Sequence, residues 1–240
     1  MNKVELIPAF NDNYVFLITN TAQMEAIVID PGEAKEIIKI LQQRNLKLAA
    51  VLMTHHHDDH IGGVSELIEH FPAPTYAPLK YKVQIPADYY AENGQELKIS
   101  SFTIQAIDLP GHTLGHNAYW FVDQKWLFSG DVLFGLGCGR LFEGSFEQGF
   151  ESLQRIKSLP DETQVFCAHE YTEINLNFSK TLPDYKTADF INYEQELKYK
   201  RNLGLASVPL TLSSEKKVNP FLLAKNVQEF TELRKLRNQF

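Results

Sequence analysis

The segment Thr54-His55-His56-His57-Asp58-Asp59-His60 places six consecutive metal-capable side chains between an apolar run and a helix-like stretch. The ends of strands in α/β sheets are where sites are built. On an extended chain His55 and His57 point to the same side, so two imidazoles converge on one face. Asp59 and His60 stand at the turn into the next helix and can face a second ion. His56 and Asp58 alternate with these positions and point away. His56 is expected to pack or hydrogen-bond, and Asp58 to support a ligating imidazole. A loose surface histidine tract is the alternative, but this run is internal and interleaved with acids.

Three further donors occupy the same kind of place, just past a strand: His112 after Leu109-Pro110-Gly111, Asp131 after Phe128-Ser129-Gly130, and His169 after Phe166-Cys167-Ala168. Each alone reads as a cap or a hydrogen-bonding loop residue. Taken together, His55, His57 and His112 supply three imidazoles, and Asp59, His60 and His169 a carboxylate and two imidazoles. Asp131 can offer one oxygen to each of two ions. His116 is an alternative to His112, with a packing role favoured because His112 directly follows the Pro-Gly turn. Such a set leaves an open position for water, as a catalytic site requires. Two divalent cations there, zinc first and iron or manganese also suited by the ligand types, would make a shared hydroxide available near neutral pH. Asp131 and Asp59 are the carboxylates assigned to catalysis. A structural metal site would draw on cysteine, and neither Cys138 nor Cys167 joins the set.

The elements that must hold these residues follow from pattern. Val4–Phe10 and Tyr14–Thr19 read as a hairpin, Glu25–Asp30 and Leu46–Met53 as buried strands, and 33–44 and 61–70 as helices. Strands over 101–109, 118–122, 126–129 and 164–168 continue the pattern, with a helix over 146–159. Beyond His169 strand signals nearly vanish, and 171–180, 187–203 and 227–240 read as helical. Residues 1–169 hold 12 Lys+Arg against 21 Asp+Glu, whereas residues 170–240 hold 11 against 9. The expectation is an α/β domain over 1–169 followed by a small helical domain over 170–240.

Composition narrows the class. The chain has 240 residues, 44% hydrophobic and 22% charged, with a net charge of -7, which is globular and gives no support to nucleic-acid binding. No apolar run reaches the roughly 18 residues of a membrane span, and no signal peptide is expected, since Glu5, Pro8 and Asn11 interrupt any apolar run near the start. With two cysteines outside any paired motif, a reduced cytoplasmic protein is expected, and a monomer is the default.

The order of the histidine cluster, His112, Asp131 and His169 resembles the metallo-β-lactamase superfamily. That resemblance implies an αββα sandwich. Gly137-Cys138-Gly139-Arg140-Leu141-Phe142-Glu143-Gly144, Ala168-His169-Glu170-Tyr171-Thr172, Asn175-Leu176-Asn177-Phe178, the 209–221 stretch with Glu215 and Asn219-Pro220-Phe221, and the basic ending Arg234 to Phe240 narrow it further. They resemble the hydroxyacylglutathione hydrolases (glyoxalase II) along essentially the whole chain. The resemblance implies hydrolysis of S-(2-hydroxyacyl)glutathione thioesters, such as S-D-lactoylglutathione, by hydroxide held between two cations, in methylglyoxal detoxification. It further implies that Arg140, Phe142 and Tyr171 contact glutathione and that Arg234 and Arg237 hold its glycine carboxylate. Phe142 stands where the family often has a tyrosine, and Leu223 near where relatives often show an arginine. Another superfamily enzyme, a persulfide dioxygenase or a different thioester hydrolase, is the alternative reading.

Overall fold

The computed structural model describes residues 2–183 and 186–240. They form two compact units: the chain through Asp108 together with Gly115–Gln124, and Leu109–Leu114 together with Lys125–Phe240. The compositional change at residue 169 falls inside the second unit.

The first unit opens with β1 (Asn2–Ala9) and β2 (Asn13–Asn20), an antiparallel pair, then β3 (Glu25–Ile29), α1 (Lys35–Arg44) and β4 (Lys47–Leu52). β3 runs antiparallel to β2 and parallel to β4, so α1 serves as the crossover that parallel strands need. β3 and β4 are near-continuous apolar runs because both of their faces are covered. Ile37, Ile38 and Leu41 of α1 lie in the same buried cluster as Leu17, Val28 and Val51. The helix stops at Asn45, whose left-handed backbone returns its N–H to the last turn.

A single helix is expected over 61–70, but two short ones form, α2 (Asp58–Ile61) and α3 (Val64–His70). The break falls at Gly62-Gly63, where a Cβ on Gly63 would sit 2.6 Å from the Ala34 nitrogen. Close backbone approach, not helix propensity, decides that point. β5 (Thr75–Pro78) and β6 (Tyr89–Ala91) complete a sheet in the order β1-β2-β3-β4-β5-β6. β7 (Glu96–Ile99), β8 (Phe102–Asp108) and β9 (Asn117–Phe121) follow as an antiparallel run. Along β8 the side chains of Phe102, Ile104 and Ala106 are buried and those between them less so, the alternation of a strand with one covered face.

The second unit holds β10 (Trp126–Gly130), the small hairpin β11 (Leu133–Phe134) and β12 (Gly137–Cys138), α4 (Phe146–Lys157) and β13 (Gln164–Cys167). α5 (Thr172–Ser179), α6 (Ala188–Asn202), β14 (Leu210–Thr211), α7 (Leu212–Val218), α8 (Pro220–Leu223) and α9 (Val227–Gln239) complete it. β13 pairs parallel with β10 and antiparallel with β14. α4 begins on a reciprocal cap between Ser145 and Gln148. Leu136 at the hairpin tip packs with Leu176, Phe190, Leu197 and Val218 of α5, α6 and α7.

Beside that cluster Glu215 is fully buried and accepts hydrogen bonds from the Tyr193 hydroxyl at 2.6 Å, the Leu136 N–H at 2.9 Å and the Asn219 amide at 2.9 Å. Burial pushes its carboxyl above the usual range, and the three donors oppose that push. Replacing Glu215 by Ala strands the Tyr193 hydroxyl and the Leu136 N–H in the interior. Urea unfolding is expected to show a loss of about 3 kcal/mol; a loss under about 1 kcal/mol would show that the network is not holding the hairpin.

Candidate metal-binding site

In the first unit, β4 delivers Thr54 and His55 and the start of α2 delivers Asp59 and His60. His55 Nε2 lies 2.9 Å from His57 Nδ1. His60 Nε2 lies 3.5 Å from Asp59 Oδ2, and the donor atoms of His55 and His60 are within 4.8 Å of each other. These four sequence-predicted side chains are therefore brought together.

The residue that orients His55 and His60, missed from sequence, is Asp30, which directly follows β3. Its Oδ1 accepts the Thr54 N–H at 2.7 Å, and its Oδ2 accepts the Thr54 hydroxyl at 2.7 Å and His60 Nδ1 at 2.9 Å. Because Thr54 Oγ1 donates to Asp30, its lone pair receives His55 Nδ1–H at 3.0 Å. Both rings are thus held as Nδ1–H tautomers, and each presents its Nε2 lone pair. Asp30 has φ +52°, an uncommon conformation for a residue other than glycine. The sequence shows only an Asp before Pro31-Gly32, which reads as a strand stop.

Neighbouring residues fix the remaining orientation. The Asn13 amide donates to Asp59 Oδ2 at 2.8 Å. His116 stacks on His55 with ring centroids 4.8 Å apart, in agreement with a packing role. His56 packs against Tyr81 at 4.4 Å. Asp58 is exposed, so the expected support of an imidazole comes from Asp30 and not from Asp58.

The second unit holds the other three donors. Asp131 turns its Oδ2 to His112 Nε2 at 3.3 Å and its Oδ1 to His169 Nε2 at 3.4 Å. His112 Nδ1–H donates to the Arg140 carbonyl at 2.8 Å, again leaving Nε2 inward. His169 lies flat on Tyr171, with centroids 4.7 Å apart and planes 6° apart.

Each donor set fits a metal by its own geometry. Two atoms bound to one ion at 2.0–2.2 Å in tetrahedral array lie about 3.4 Å apart, the spacing that separates Asp131 from His112 and from His169. One carboxylate facing a different imidazole with each oxygen is the pattern of a bridging ligand. The rings of His55, His60 and His112 spend Nδ1 on protein oxygens, as ligating histidines do. All the donors are nitrogen or oxygen, which suits zinc, iron or manganese.

The predicted substrate residues lie in the second unit. Arg140 is exposed and rests over the Phe142 ring at 5.6 Å, and Phe142, 61% exposed, touches His112 edge-on. Arg234 is buried, donates to the Cys138 carbonyl at 2.7 Å and lies over Phe221. Arg237 lies over the contacting rings of Phe178 and Phe240 and donates to Asn175 Oδ1 at 3.1 Å. Burial and the neighbouring Arg234 charge hold the Arg237 guanidinium below its usual pKa. Among the described residues no carboxylate forms an ion pair with Arg140, Arg234 or Arg237, and the partly or fully buried guanidiniums of Arg234 and Arg237, without an acid, suit an incoming anion.

Comparison with known proteins matches residues 10–169 to the metallo-beta-lactamase superfamily and residues 170–240 to the hydroxyacylglutathione hydrolase C-terminus. The chain belongs to the hydroxyacylglutathione hydrolase family of that superfamily. A hydroxyacylglutathione hydrolase of Bdellovibrio bacteriovorus is 52% identical, covering 98% of this chain and 97% of that protein. Among solved structures, ETHE1 from Myxococcus xanthus aligns with a TM-score of 0.73 at 25% identity, over 98% of this chain and 90% of its own. A protein crystallised in a di-iron-bound form aligns with a TM-score of 0.64 at 26% identity, over 92% of this chain and 100% of its own. The fold expected from the superfamily resemblance, α/β with mixed sheets and a helical C-terminal region, is the fold observed. No helix among the described residues is long and apolar enough to cross a membrane.

If Asp30 sets the lone pairs, Asp30→Asn should weaken zinc binding about 10–100-fold in competition with a chromophoric chelator, with little change in far-UV circular dichroism. Unchanged affinity would contradict that role.

Proposed function

We propose that this chain hydrolyses S-(2-hydroxyacyl)glutathione thioesters, S-D-lactoylglutathione among them, releasing glutathione and D-lactate as the final step of methylglyoxal detoxification. The observation that carries the reading is the 52% identity to a hydroxyacylglutathione hydrolase over nearly the full chain, joined to the family-specific C-terminal match over 170–240. Structural likeness to lactamase-like enzymes alone would leave the substrate open.

In this reading His55, His57 and His112 would hold one cation and Asp59, His60 and His169 the other, with Asp131 shared between them. Two divalent cations so held would supply Lewis acidity toward the thioester carbonyl and a water acidified toward neutral pH. Zinc is the metal assigned, with iron the nearest substitute, since the di-iron-bound relative shares the fold.

The chain's own residues do the rest. Asn13 steadies Asp59 through its amide, and Asp30 holds the rings of His55 and His60 in register. Arg234 and Arg237 offer planar donors to the glycine carboxylate of glutathione. Their spacing of three positions on α9 puts them on one helix face. Arg140, over the exposed Phe142 ring, offers charge and apolar surface to the peptide stem. Tyr171, stacked on His169, adds a hydroxyl beside a metal-ligating ring. The departing thiolate is stable enough that no side chain need protonate it.

Treatment with a strong chelator should abolish loss of the acyl-thioester absorbance of S-D-lactoylglutathione, and two equivalents of zinc should restore it. A two-metal protein with no turnover of this thioester would contradict the assignment. Asp59→Ala should bind one ion per chain by elemental analysis and lose at least about 100-fold in kcat; full activity in that variant would exclude the dinuclear mechanism.

A further inference from the structure

The loop that follows Asp131 is held by side chains of the helices, and one of them also reaches the basic pair. The hairpin tip between β11 and β12 runs Phe134-Gly135-Leu136-Gly137. Glu215 takes the Leu136 N–H, and Asn219 Nδ2 donates to the Phe134 and Gly137 carbonyls, both at 3.1 Å. The Gly135 carbonyl is left to Asn175, whose Nδ2 donates to it at 3.0 Å. Asn175 is buried on α5 and so close to the loop that a Cβ on Gly137 would fall 2.3 Å from its Nδ2. Its other amide atom, Oδ1, accepts Arg237 Nε at 3.1 Å.

The two ends require a group that both donates and accepts, and the Asn175 amide does so through separate atoms. A carbonyl can only accept and a guanidinium can only donate, so the group between them must donate to one and accept from the other. The same requirement fixes which way the Asn175 amide points. With Nε–H spent on Asn175, Arg237 keeps both Nη groups for an end-on, two-point grip on a carboxylate. The ring centroids of Phe178 and Phe240 lie 5.9 and 5.8 Å from the Arg237 guanidinium carbon.

We propose that Asn175 is a positioning residue: by bridging the Gly135 carbonyl and Arg237 Nε, it aims Arg237 at the glycine carboxylate of the thioester and so sets the preference for the complete glutathione moiety. The inference rests on the glutathione reading above and adds to it the residue that makes Arg237 selective. A long cationic side chain without such an anchor loses more rotamer freedom on binding and discriminates less.

The test compares two substrates, S-D-lactoylglutathione and the D-lactoyl thioester of γ-glutamylcysteine, which lacks the glycine carboxylate. It uses the full zinc-loaded chain and two variants, Asn175→Asp and Asn175→Ala. Wild type should prefer the glutathione thioester by about tenfold or more in kcat/KM. Asn175→Asp keeps the acceptor but adds a charge that pairs with Arg237 and competes with the substrate. Its preference should fall below about threefold, chiefly through a higher KM for the glutathione thioester. Asn175→Ala, which removes the anchor without adding charge, should fall between the two and serves if the Asp variant does not fold. A purely structural role would lower both substrates equally and leave the preference intact, and that result in either variant would overturn the inference. Equal rates of wild type on the two thioesters would overturn the glutathione reading, and the inference with it. A discriminating wild type beside equally discriminating variants would overturn the inference alone.

Discussion

The buried carboxylate of Asp30 governs the chemistry of the His55–His60 segment. Neutral imidazole has two tautomers, and only one presents a lone pair in a given direction. Asp30 settles the choice for His60 directly and for His55 through the Thr54 hydroxyl, since Thr54 must donate to the carboxylate and therefore accept from the ring. One acidic group thus orients a proposed ligand of each cation. The arrangement is taut: Asp30 sits at a left-handed backbone position immediately after a buried strand, and Tyr119, whose hydroxyl is pinned to the Met53 carbonyl, has its pKa raised by burial and by the Asp30 charge. A carboxylate enclosed this way is costly unless its oxygens are engaged, and here three donors engage them.

The second unit solves a related problem with backbone in place of a carboxylate. His112 is oriented by the Arg140 carbonyl, and the loop that carries the chain from Asp131 to Arg140 is gripped by Glu215, Asn219, Asn175 and Arg234. These four come from the region beyond His169. That region therefore does more than present cations to a substrate: it satisfies the polar groups of a short hairpin that could not satisfy them itself. The arginines proposed for carboxylate binding are part of the same framework, which ties recognition to the shape of the loop.

Much of this was legible in residue types and spacing. Long apolar runs and helical periodicity mark β1 to β4, α1, α4 and α9 within a residue or three of their observed ends. Strands β5, β6 and β7 and the pieces β11, β12, β14, α7 and α8 are two to seven residues long, too short for either period to stand out. The donors of the histidine cluster were conspicuous because such side chains are seldom crowded together by chance. What sequence could not show is the support. Asp30 looks like turn punctuation before Pro31-Gly32, Glu215 and Asn175 look like ordinary polar positions of helices, and Asp58 looks better placed to support an imidazole than it is. Burial and long-range hydrogen bonding confer those roles, and neither has a local pattern.

The measurement closest to the central claim is the tautomer of each imidazole, read by long-range 1H–15N correlation NMR on zinc-loaded protein with 15N-labelled histidine. Protonated Nδ1 and metal-shifted Nε2 are expected for His55, His60 and His112, and the reverse for His57, whose Nδ1 faces His55 Nε2. A protonated Nε2 on His55 or His60 would contradict the central claim, because Asp30 would then not be directing the lone pairs that the proposed metal centre requires.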